Sequence, residues 1–69
     1  MAEGSILLNG EPREIEHGID LVRLLDRFDL PKQRVAIELN GNVIRRSTWE
    51  DTRVNNGDRV EVVHFVGGG

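Results

Sequence analysis

Few side chains of this 69-residue sequence are equipped for chemistry. There is no cysteine, which removes a thiolate nucleophile, a disulfide framework, a thiolate zinc site and a persulfide carried on a side chain. His17 and His64 are the two histidines. They fall at a turn and near the end of a strand-like run, where solvated histidines are the ordinary case. The carboxylates form no ligand-spaced cluster, so neither a catalytic side chain nor a metal ligand is expected. Arg45-Arg46 reads as a solvated pair. What is left is the end, Val66-Gly67-Gly68-Gly69. An α-carboxyl group titrates near ~3.5, so the Gly69 carboxylate is ionised at neutral pH and is an oxygen nucleophile toward the α-phosphate of ATP. The resulting acyl-adenylate would exchange AMP for an incoming sulfur donor and leave a thiocarboxylate. Unhindered glycine lets both displacements approach the carbonyl carbon, and the group needs no catalytic side chain from its own chain.

Gly67 and Gly68 are suited to delivering that carboxylate. Three extended residues reach about 10 Å past the preceding strand, and without Cβ atoms they thread a channel too narrow for other residues. A terminal glycine run also describes frayed chain or a linker stub. Its attachment to the fold pattern below is what that reading leaves unexplained.

The elements that must position the tail follow from periodicity and turn chemistry. Ser5–Leu8 and Glu11–Glu16 flank Asn9-Gly10, the strongest short signal for a two-residue type I′ hairpin. Pro12 cannot donate a ladder hydrogen bond, which assigns the second strand to a sheet edge. Leu21, Leu24, Leu25 and Phe28 recur at i, i+3, i+4 and i+7, one stripe of an amphipathic helix. Asp20 is placed to cap it and Pro31 forbids continuation, so the helix is expected over Leu21–Asp29. Val35, Ile37 and Leu39 alternate, and Asn40-Gly41 leads into a further strand over 42–45. Residues 47–54 hold no clean period, although Trp49 is large enough to anchor an irregular segment. Asn55–Asp58 turns the chain into a last strand over 59–66.

Hairpin, helix, then further strands describes an α+β domain, a mixed sheet of four to five strands with one main helix on one face. The ubiquitin-like β-grasp has that order. The domain is expected over 1–66, with 67–69 as a flexible tail. Strand parity then turns Leu7, Ala36, Glu61, Val63 and Phe65 to the uncovered face. Leu7, Val63 and Phe65 are the expected partner-binding surface, an apolar patch beside the tail.

A domain of this length buries only about 60% of the surface its unfolded chain exposes, too little for a deep catalytic cleft. Nine basic and twelve acidic residues give a net charge of −3, with the basic residues scattered, so nucleic acid is a poor partner. No apolar run approaches the ~20 residues that span a bilayer. The N-terminus lacks the pattern of a signal peptide, and a cytoplasmic location is expected.

The sequence resembles the ThiS sulfur carriers of thiamin biosynthesis. The resemblance covers essentially the whole chain and rests on a combination: Leu8-Asn9-Gly10-Glu11, Leu21-Val22-Arg23-Leu24-Leu25, the stretch from Val35 to Ile44, Arg46-Ser47-Thr48-Trp49, Asn56-Gly57-Asp58-Arg59-Val60-Glu61-Val62-Val63 and the glycine end. The resemblance implies that Gly68 and Gly69 match the terminal diglycine. Gly69 would be adenylated by an E1-like, ThiF-like enzyme that uses ATP, and would then serve as thiocarboxylate to a ThiG-like thiazole synthase. A cysteine desulfurase relay would supply the sulfur. The chain would be a carrier rather than an enzyme, with no bound cofactor. Small carriers for molybdopterin synthesis or tRNA thiolation share this fold and tail. A non-covalent ubiquitin-like interaction module that leaves the tail idle is the reading from a different class.

Overall fold

Two Asn-Gly pairs set the frame. In the computed structural model, which describes residues 3–65, Asn9 and Gly10 have φ of 52° and 83°, and Asn40 and Gly41 have φ of 53° and 87°. Two successive left-handed residues are what a type I′ turn demands, and its twist matches that of the flanking strands. The first turn joins β1 (Glu3–Leu8) to β2 (Glu11–Glu16), and the second joins β4 (Val35–Leu39) to β5 (Asn42–Ile44). Between the hairpins run a short β3 (Ile19–Asp20) and the helix α1 (Leu21–Arg27). After β5 come a 3-10 helix (Arg46–Asp51), a short β6 (Arg53–Val54) and the last strand β7 (Arg59–His64).

The principal sheet has the order β2-β1-β7-β4-β5, and β3 pairs with β6 in a second sheet of two strands. β7 runs parallel to β1 and antiparallel to β4, so the sheet is mixed and its last strand in sequence is its central strand. With one helix on one face, this is the expected α+β, β-grasp arrangement. β2, which carries Pro12, is an edge strand, as its missing N–H requires.

One core joins Ile6, Leu8, Val35, Ile37 and Val60 of the sheet to Leu21, Leu24 and Leu25 of α1. Phe28, Leu39 and Val62, expected inside, pack against it only partly buried. Ile15, Ile19, Trp49 and Val54 complete it. Ile19 and Val54 enter through the β3–β6 pair, which no periodicity announces. Trp49 is the anchor its size implied: it is buried and its indole N–H donates to the Ile44 carbonyl at 3.0 Å.

The helix is shorter than its apolar stripe. It stops at Arg27 because Asp29 takes a left-handed conformation, φ 57°. The Leu30 N–H bonds to the Leu25 carbonyl and the Asp29 N–H to that of Asp26, the two bonds of a Schellman motif. Phe28 therefore belongs to the cap. β5 ends at Ile44 rather than at residue 45, and β1 begins at Glu3 rather than at Ser5. β7 ends at His64; the expected continuation to residue 66 and the tail boundary at 67 lie outside the described residues.

Candidate functional site

The root of the glycine run is built by the central strand. β7 is held along one edge by the Leu7 N–H on the Asp58 carbonyl (3.1 Å) and the Asn9 N–H on that of Val60 (2.9 Å). The asparagines of both hairpin turns reinforce it. Asn9 Oδ1 accepts from the Val62 N–H at 2.8 Å, and Asn40 Oδ1 accepts from the Arg59 N–H at 2.8 Å. Each asparagine thus satisfies a backbone donor of β7 while also supplying the left-handed turn residue. Beyond His64, the Phe65 N–H donates to the Arg34 carbonyl at 2.9 Å, and Arg34 is itself left-handed, φ 62°. The segment that enters the glycine run is therefore paired through residue 65. Gly67, Gly68 and Gly69, the residues expected to thread and to react, lie outside the described residues.

α1 and the core cover one face of the sheet; among the described residues no element covers the other. Register places its occupants. Val63 stands opposite Ala36, Glu61 opposite Glu38, and Glu38 in turn opposite Val43 on β5. Leu7 stands opposite both Pro12 and Arg59. Alternation carries Phe65 to the same side as Val63. Leu7, Val63 and Phe65 are 40%, 49% and 49% exposed. They do not form one contiguous patch, because Arg59 and Val63 are four residues apart on β7, about 13 Å along the strand. Val63, Ala36 and Phe65 form an apolar end beside the root of the tail, Leu7 and Pro12 form another toward the start of β7, and the Glu38/Glu61 pair lies between.

Val43 belongs to this face and was missing from the expected surface. It is the most exposed of its large apolar residues, at 70%. Its signal was in the sequence: a two-residue turn at Asn40-Gly41 forces residue 43 opposite residue 38, so the parity assigned to Glu38 fixes that of Val43.

The two histidines are not brought together. His17 lines a polar concavity with Glu16, Asp20, Arg23 and Arg53, while His64 sits opposite Val35 at the end of β7. Asp20 is engaged in structure: its Oδ1 accepts from the Arg23 N–H at 2.9 Å and its Oδ2 lies 3.6 Å from Arg23 Nε. Arg46 and Arg45 part company. Arg46 stacks 4.4 Å from the Trp49 ring centroid and donates to the Lys32 carbonyl, while the Arg45 carbonyl accepts the first bond of the 3-10 turn from Thr48. Among the described residues there is no grouping of three or more His, Asp or Glu able to hold a metal, and no helix long and apolar enough to cross a membrane.

Comparison with known proteins places this geometry. The ThiS family model matches residues 6–69. The crystal structure of the thiamine biosynthesis protein ThiS from Geobacter metallireducens superimposes with a TM-score of 0.84 at 32% identity, over 94% of this chain and 99% of that one. The sulfur carrier protein ThiS of Bacillus subtilis is 35% identical over 46 residues, 67% of this chain and 70% of that protein. A thiazole synthase of Magnetococcus marinus is 42% identical over 64 residues, which are 93% of this chain but only 20% of the synthase; the chain thus spans about a fifth of that relative. With a family match over nearly its whole length and a solved relative of the same fold, the chain belongs to the ThiS family.

Proposed function

We propose that this protein is a sulfur carrier whose Gly69 carboxylate is the reacting group. An oxygen of that carboxylate attacks the α-phosphorus of ATP on a ThiF-like adenylating enzyme, pyrophosphate leaves, and an acyl-adenylate forms. A sulfur nucleophile then attacks the carbonyl carbon and AMP departs with the electron pair of the broken C–O bond. With sulfide as the donor the product is the thiocarboxylate, which passes its sulfur to the forming thiazole of thiamin on a thiazole synthase. In the cell a cysteine desulfurase relay would supply the sulfur. The chain acts as substrate and donor, not as an enzyme, and ATP is bound by its partner.

The observation that carries this reading is that a ThiS-family chain attaches its Gly67-Gly68-Gly69 run to the central strand of the sheet. β7 pairs with β1 at Arg59 and Val60 and with β4 from Val60 to His64, so the strand is anchored in the sheet up to its end, while glycines beyond it give reach without bulk. The thiazole synthase partner is supported by the M. marinus synthase, a fifth of which is similar to this chain. Val63 and Phe65, beside the root of the tail, are the apolar contacts proposed for docking, with Leu7 contributing from the distant end of the same face.

Intact-mass spectrometry of the protein after incubation with ATP, a ThiF-like enzyme and sulfide tests the reading. Exchange of one oxygen for sulfur, confined to the peptide that ends in Gly69, is expected. An unmodified tail in the presence of partners proven active on another carrier would favour a non-covalent binding module.

A further inference from the structure

The uncovered sheet face carries a charge arrangement that the fold itself does not need. Register sets Glu38 directly opposite Glu61 on the two inner strands β4 and β7, and Glu3 directly opposite Glu16 on β1 and β2. Like charges placed opposite one another weaken a sheet. Neither Glu38 nor Glu61 takes part in an ion pair among the described residues, where the bridges are Arg13–Glu11, Arg23–Asp20 and Lys32–Asp26. Alternation along the strands puts Glu3, Glu14, Glu16, Glu38 and Glu61 on this face; within the strands its one guanidinium is Arg59, whose cross-strand neighbour is Leu7, and the extended Arg45, just past β5, continues the alternation of Val43 at the far side. The central pair is rimmed by exposed Val43 and Val63.

We propose that this face docks a basic protein surface, that of the thiazole synthase, which lays one arginine or lysine between Glu38 and Glu61 and apolar side chains on Val43, Val63 and Phe65. The partner rests on the function proposed above; the charge-reading role of the two glutamates is the addition. A guanidinium fork is able to bridge two carboxylates at once. Closing the apolar rim around it removes water and strengthens the attraction. The pair then makes the interface selective, since a partner with an apolar or acidic group at that point leaves two carboxylates desolvated and unpaired. Charge also sorts the alternatives. A second copy of this chain would set five carboxylates against five, and nucleic acid or an anionic lipid surface would meet the same repulsion. That a segment similar to this chain occurs within the M. marinus synthase supports a thiazole synthase as the protein this face meets.

The test is a calorimetric titration of the full chain into a thiazole synthase at low and at high salt, for the wild type and for E38Q/E61Q, with thermal unfolding of each. The double variant is expected to bind about tenfold or more weakly at low salt, to lose most of its salt dependence, and to unfold at the same or a higher temperature. Equal affinity of variant and wild type at both salt concentrations would overturn the role of the pair while leaving the carrier function standing. So would a lower unfolding temperature of the variant, which would make the pair a structural element, or self-association of the wild type through this face. Absence of wild-type binding to the synthase would remove the partner itself, an outcome separate from sulfur loading of Gly69, which mass spectrometry reads without the synthase.

Discussion

Asp20 illustrates how much one side chain of this small domain is asked to hold. It is the one buried acidic or basic residue among those described, 8% exposed, and it closes the first turn of α1 through the Arg23 N–H while its second oxygen faces the Arg23 guanidinium. Its own backbone pairs with Arg53 in the β3–β6 sheet. Removing the carboxylate leaves a helix N–H without a partner at a buried corner. Asp20→Ala is therefore expected to cost about 1–2 kcal/mol, read as a lower urea midpoint with an unchanged slope. Arg23, whose side chain is largely exposed, adds little to that figure, because an ion pair open to water is worth a fraction of it.

Among the elements, the two hairpins share a device. Each Asn-Gly turn supplies a left-handed pair, and in each the asparagine amide oxygen also accepts a backbone N–H of β7. Turn geometry and central-strand attachment are thus coupled at residues 9 and 40. Gly41, at φ 87° with open space around its Cα, isolates the turn contribution, since a methyl group there meets no neighbour and the penalty is purely conformational. Gly41→Ala is expected to destabilise by about 1 kcal/mol. Thermal unfolding checks it, and the folded variant should keep the Trp49 environment, because the indole is held by Ile44 and Arg46 rather than by the turn.

At the scale of the molecule, the residues of the core and the residue proposed to react are different ones. The core lies between α1 and one face of the sheet, whereas the proposed chemistry belongs to the residues beyond β7. Deleting Gly69 is expected to abolish sulfur loading in the mass assay and to leave the unfolding midpoint within experimental error, since no core residue is touched. A drop in midpoint would mean that the terminal glycine contributes to the fold, contrary to its proposed role.

The sequence by itself determined most of what near neighbours govern. The 3.6-residue stripe placed α1, two Asn-Gly pairs placed the hairpins, Pro12 placed β2 at an edge, and Asp20 announced its cap. Each is a conformational preference acting over a few residues. The glycine run suggested the carrier chemistry proposed for Gly69, which lies outside the described residues. The end of α1 escaped because Asp29 adopts a conformation that glycine usually marks. The tertiary structure alone decided the rest. β3 and β6 are too short to show a period, and pair only because Ile19 and Val54 meet across 35 residues of chain. Leu7 is separated from Val63 only because β1 and β7 pair in parallel with Leu7 against Arg59. Glu38 faces Glu61 only through the register of two strands distant in sequence. Parity tells which face a side chain takes, but pairing between remote strands is fixed by how the whole core closes, and that decides which side chains become neighbours.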